Sequence, residues 1–150
     1  MTYWCSVAYW AWALPFVAFA IFEEAGWRGF LLPHLQTKYS AFQASTVLAG
    51  IWAFWHAPFF LFRFDFSLFI SIGFFFGLFV GSIIMTSIYN FSRGSLMPVL
   101  VFHLANNAAS AFNQEFLVAV VSAGFVFLAT RIVKKFGRED LSFLKKQTIV

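Results

Sequence analysis

Charge is what this chain has least of. Only 11% of its residues are Asp, Glu, Lys or Arg, while 61% are apolar. A soluble domain is usually about 25% charged. A water-solvated globule is therefore excluded, and the bilayer is the expected solvent. There is one cysteine, Cys5, which allows no intramolecular disulfide and says nothing about redox compartment. The first 20 residues contain no Lys or Arg. The basic start of a cleaved leader is thus missing, although Ala18-Phe19-Ala20 follows an apolar run as a processing site would. The segment is read as a retained span. Alternating strand patterns, internal repeats, long linkers and low-complexity tracts are absent as well. The reading is one membrane-embedded domain over residues 1–150, with a basic tail at 134–150.

What is present is long apolar runs. Five stand out: roughly 3–22 with a helical continuation to about 32, then 41–62, 66–90, 96–112 and 116–133. About 20 apolar residues cross a ~30 Å hydrocarbon core. The expected fold is an all-α, polytopic transmembrane helical bundle of about five spans with a buried polar cavity. The fourth run is short and carries His103, Asn106 and Asn107, so it belongs among the other helices. The 24 Phe residues serve lipid-facing and packing surface. Pro15, Pro58 and Pro98 lie in or at the ends of spans, where kinks beside a cavity are expected.

The net charge is +4, but its location argues against nucleic acid as a partner. Arg131 lies at the end of the last span, and Lys134, Lys135, Arg138, Lys145 and Lys146 follow it. Beside a membrane helix they read as an anchor on anionic lipid headgroups. With Arg28, Lys38 and Arg93 they put nine of the ten basic residues on one side, leaving Arg63 on the other. The positive-inside rule then puts the C-terminus in the cytoplasm. The plasma (inner) membrane is the expected location.

Against this background the acids matter most. Glu23 and Glu24 end the first apolar run. A carboxylate at membrane depth costs roughly 2.5–3.5 kcal/mol on the mildest scales. Arg28, four residues after Glu24, can pair with it on a helix. Glu23 lies about 100° around the axis and is left over. It is either a base facing a cavity or part of a structural cluster with Glu24 and Arg28. His56, in the second span, is a catalyst or a packing residue. His103 and Asn107 are i,i+4 neighbours on one face. Their donors could converge on an oxyanion, or clamp two helices. Glu23, His56 and His103 could also hold a divalent metal such as zinc. The His-Glu-x-x-His pattern of soluble zinc proteases is missing. Gly73, Gly77 and Gly81 share a helix face and would let a neighbouring backbone approach.

Three motifs fall in order on apolar spans. They are Glu23-Glu24-Ala25-Gly26-Trp27-Arg28, then Trp52-Ala53-Phe54-Trp55-His56, then His103-Leu104-Ala105-Asn106-Asn107. They resemble the CPBP family, the CAAX protease and bacteriocin-processing (Abi) intramembrane proteases, which include type II CAAX prenyl endopeptidases. The match covers roughly residues 10–112. Trp52 stands where that pattern usually has Phe, a swap that touches pocket shape more than chemistry. The chain is short for the family, being either a minimal core or a core lacking upstream helices. The resemblance implies a metalloprotease-like hydrolase acting on a peptide or membrane-protein substrate. Glu23 would activate water with help from His56. His103 and Asn107 would hold the oxyanion, and Glu24 and Arg28 would orient the first motif. The same residues support a metal-free route. The rival readings are a non-catalytic immunity or scaffold protein, and an ion-coupled carrier. A scaffold's polar cluster would be closed and fully paired. A carrier would show internal repeats.

Overall fold

A computed structural model describes residues 14, 17–58, 68–111 and 115–149. Cys5, Pro15 and Arg63, together with most of the first apolar run, lie outside the described residues. Among the described residues every regular element is helical and there is no strand.

The chain enters as helix α1 (17–26), passes through a π-helical turn at Trp27–Leu31 and continues as α2 (Leu32–Gln36). Pro33 lies in the first turn of α2, where its missing N–H costs little. After a short turn, α3 (Ala41–His56) begins at a capping box. Ser40 Oγ accepts from the Gln43 amide at 3.2 Å, and Gln43 Oε1 accepts from the Ser40 amide at 3.2 Å. Two otherwise orphaned donors are satisfied there. Then follow α4 (Leu68–Phe91), α5 (Leu96–Ala111) and α6 (Glu115–Asp140).

The α4 helix is 24 residues long, so it spans roughly 36 Å. Its stretch Ser71–Phe91 is the one described segment long and apolar enough to cross a membrane. Leu96–Ala109 is apolar but shorter. The α4 helix is also the centre of the bundle. It packs on α3, α5 and α6. One core joins Leu32, Leu48, Trp52, Met85, Tyr89 and Val99; another joins Ala41, Val80, Ile83, Ile84, Ala129, Ile132 and Leu141. Buried Ser82 donates to the Ser45 carbonyl at 2.9 Å, a polar tie between α3 and α4. Large apolar side chains also cover the outside, among them Phe22, Phe30, Phe54, Phe76 and Phe127. That is the surface expected when lipid replaces water.

Two sequence expectations change. Among the described residues the glycine stripe of α4 receives no close neighbour. A Cβ added at Gly73, Gly77 or Gly81 would meet no described atom within 4 Å. The packing partners of α4 use its other faces, where Val80, Ile83, Ile84 and Met85 are buried. The basic tail is also more ordered than a headgroup anchor requires. Residues 134–136 are helical, and Gly137 (φ 77°) breaks the helix. The chain then doubles back, and Leu141 is fully buried. Ser87 Oγ donates to the Leu141 carbonyl at 2.7 Å. Asn90 Nδ2 donates to the Asp140 carbonyl at 2.8 Å and to Gln36 Oε1 at 2.8 Å. Gln36 Nε2 in turn donates to the Gln147 carbonyl at 2.7 Å. Two of the tail lysines face acids, Lys145 with Asp140 and Lys146 with Glu139. The tail is thus a strap across the ends of α2 and α4.

Candidate active site

The two adjacent acids have different surroundings. Glu24 is buried, and its Oε1 accepts from Arg28 Nη1 at 2.9 Å. Arg28 sits in the π-helical turn and is fully buried. Such turns recur at functional sites. The same Glu24 oxygen lies 2.7 Å from His103 Nδ1 on α5. A carboxylate oxygen only accepts, so the Nδ1 proton points at Glu24. In the neutral ring the Nε2 lone pair is then the free end of that tautomer. His103 Nε2 lies 3.9 Å from Glu23 Oε2. His103 therefore stands between the two acids, with one nitrogen directed to each.

Glu23 has its own donor. Trp52 Nε1 on α3 donates to Glu23 Oε2 at 3.1 Å. Trp52 is only 5% exposed, and it organises the site from several sides. The Arg28 guanidinium lies over its ring at 4.7 Å, a cation–π distance. The His103 and His56 rings pack edge-on at 5.6 and 5.7 Å between centroids. The Trp52 carbonyl accepts from His56 Nδ1 at 2.8 Å. That bond fixes the His56 proton on Nδ1 and its lone pair on Nε2 when the ring is neutral.

The structure thus brings Glu23, Glu24, Arg28 and His103 into direct or near contact and attaches His56 through Trp52. His56 lies in the last turn of α3. Asn107 is half-buried, one turn beyond His103 on α5, and makes no hydrogen bond to Glu23, His56 or His103. The candidate metal set Glu23, His56 and His103 is not gathered as a ligand group. Among the described residues no three His, Cys, Asp or Glu side chains are placed to hold one metal ion. His103 is turned between Glu24 and Glu23, and His56 is tied to its own helix through Nδ1. No step below runs through a metal. A groove of about 380 Å³ between α3, α4 and α6 is lined by residues such as Phe42, Phe79, Ile83 and Ala129. Its lining is mostly apolar, with Thr130, Lys134 and Arg138 also on it, and it shares no residue with this cluster.

The polar cluster is not closed. Glu24 Oε2, Arg28 Nε and Arg28 Nη2 are buried without partners among the described residues, as is Trp27 Nε1. Reading the sequence missed the part played by Trp52. The signal was there: Trp has an N–H that Phe lacks, and a buried indole usually finds an acceptor.

The model of the type II CAAX prenyl endopeptidase Rce1-like family matches residues 5–109. The chain belongs to that family. This agrees with the membership read from the three motifs, all of which lie inside the matched range. The family is membrane-integral, in keeping with the membrane-capable α4. The chain is also 30% identical over 126 residues to CAAX prenyl protease 2 of Methanococcus maripaludis, an alignment covering 76% of this chain and 45% of that protein. It therefore spans less than half the length of this relative. No solved structure matches it.

Proposed function

We propose that this chain carries the catalytic core of a polytopic intramembrane endopeptidase, which hydrolyses a peptide bond with water activated by Glu23. The observation that carries the reading is the division of labour between adjacent acids. Glu24 is bound to Arg28 and His103, while Glu23 is held by a neutral indole N–H and faces His103 Nε2. Glu23 is the acid of the two that is left without a cationic hydrogen-bond partner, and so the one available to hold a water.

In the proposed reaction Glu23 takes a proton from water as the oxygen attacks the scissile carbonyl. The carbonyl π pair moves to oxygen and forms the oxyanion. The C–N bond then breaks, and the departing nitrogen takes the proton from Glu23. His56 helps to orient the water through Nε2. Asn107 donates its amide N–H to the oxyanion. His103 joins it as a donor through Nε2 when both ring nitrogens carry protons. Glu24 and Arg28 fix the tilt of α1 against α5. The relative's name points to prenylated CAAX-terminated proteins as the substrate class. The core lies in the plasma membrane with its C-terminus in the cytoplasm and lipids around it.

The incomplete pairing of the cluster favours this reading over a scaffold, whose polar groups would be fully matched. The test is cleavage of a prenylated CAAX peptide by purified protein in detergent or nanodiscs. Wild type should cleave it, and Glu23→Gln should be inactive while retaining its helical circular dichroism and melting temperature. A fully active Glu23→Gln overturns the proposal.

A further inference from the structure

The neighbourhood of Glu23 holds a hazard that the mechanism above does not address. Arg28 is fully buried and has two donor nitrogens, Nε and Nη2, without partners among the described residues. Glu23 carries a flexible side chain of three rotatable bonds, and its charge acts on Arg28. Left to itself, such a carboxylate would be drawn toward those donors. It would then form a second acid–guanidinium pair and lose its value as a base. One hydrogen bond opposes this: Trp52 Nε1 to Glu23 Oε2, at 3.1 Å.

That donor is unusually well fixed. Trp52 is buried in the core formed with Leu48, Met85 and Val99. Its ring face is covered by Arg28, and both imidazoles pack steeply tilted against it. The indole can neither rotate away nor be replaced by water without disturbing α1, α3 and α5 together. Phe, the residue usual at this place in the motif pattern, would keep the shape and lose the N–H.

We infer that Trp52 is the positioning residue of this site: its indole N–H holds the Glu23 carboxylate on the His103 side and keeps it from collapsing onto Arg28. The catalytic consequence rests on the endopeptidase reading, but the hydrogen bond itself does not. The inference also separates two functions of one side chain. The ring supports the fold, and the N–H supports the chemistry.

Two measurements test it. The first is the ¹H–¹⁵N spectrum of the tryptophan indoles in detergent micelles, assigned by triple resonance. Glu23→Ala should move the Trp52 indole proton upfield. The Trp27 indole, which has no acceptor among the described residues, should stay in place. An unmoved Trp52 signal overturns the inference whether or not the chain is a protease. The second is kinetics. Trp52→Phe should lower kcat about tenfold, the worth of a hydrogen bond to a charged group, with KM within about twofold. Its melting temperature should equal or exceed the wild-type value, because Glu23 gains Arg28. A Trp52→Phe variant with wild-type kcat overturns the positioning role even if the indole signal moves. If Trp52→Phe fails to fold, the indole shift in Glu23→Ala still decides. Activity surviving in Glu23→Gln would remove Glu23 as the base, and a wild type that cleaves nothing would remove the endopeptidase reading; either leaves the indole result standing.

Discussion

His103 Nδ1 lies 2.7 Å from Glu24 Oε1, joining two helices separated by 79 positions in the chain. The contact is buried, and its acceptor is already shared with Arg28. It is therefore the point at which α1 and α5 are locked together, and every role proposed for Glu23 depends on it.

Glu24→Gln should accordingly behave as a folding variant. The substitution strands Arg28 in the interior, and breaking a buried pair from one side costs about 3–5 kcal/mol. A melting temperature well below wild type, with low expression, is expected. Glu23→Gln should melt like wild type and fail to cleave. If Glu24→Gln is stable and inactive while Glu23→Gln cleaves, the two acids have exchanged roles.

Asn107→Ala separates chemistry from packing. No hydrogen bond ties Asn107 to the other site residues, so its loss should leave the melting temperature almost unchanged. As an oxyanion donor its removal should lower kcat by about 10²–10³ with KM nearly constant. Steady-state kinetics on one peptide would decide. Full activity in Asn107→Ala would remove it from the mechanism.

The C-terminal strap should depend on one amide pair. Asn90→Ala removes the acceptor and donor that join Gln36, Asp140 and Gln147. Leaving buried polar groups unmatched costs about 1–3 kcal/mol each. Trypsin should then cut earlier at Lys145 or Lys146 than in wild type. Equal digestion rates would mean that the strap is held by its other contacts, namely buried Leu141 and the bonds from Ser87 and Gln36.

Gly137→Ala tests the same strap from its hinge. Gly137 has φ 77° and ψ 177°, a conformation open essentially to glycine alone. A Cβ there would meet nothing within 4 Å among the described residues, so only backbone strain is at stake. A loss of about 1–3 kcal/mol is expected. It would be read from thermal or denaturant unfolding.

Much of this fold was legible because its helices are written in long apolar runs. The runs at 41–62, 66–90, 96–112 and 116–133 overlay α3, α4, α5 and α6. The i,i+4 spacing of Glu24 and Arg28 likewise announced their contact. Tertiary choices were less visible. The spacing of Gly73, Gly77 and Gly81 defines a face but not whether a neighbour uses it. The Gln36–Asn90 pair joins residues 54 positions apart, and no local pattern marks it. Trp52 was read as shape because its ring is large. Its N–H mattered only once Glu23 was known to lie within reach.

The π-helical turn at Trp27–Leu31 has a consequence for phase. Glu24 and Gln36 are the two polar anchors of this segment, one bonded to α5 and the other to α4. They are twelve positions apart. In an unbroken α-helix they would lie roughly 120° apart around the axis at 3.6 residues per turn. A widened turn absorbs about one residue, which brings the difference to roughly 20°. Both anchors then face the bundle. Deleting one residue from this turn could restore a regular α-helix with that same phase. Inserting one elsewhere between Glu24 and Gln36 would set the two anchors at odds, so that the segment could engage His103 or Asn90 but not both.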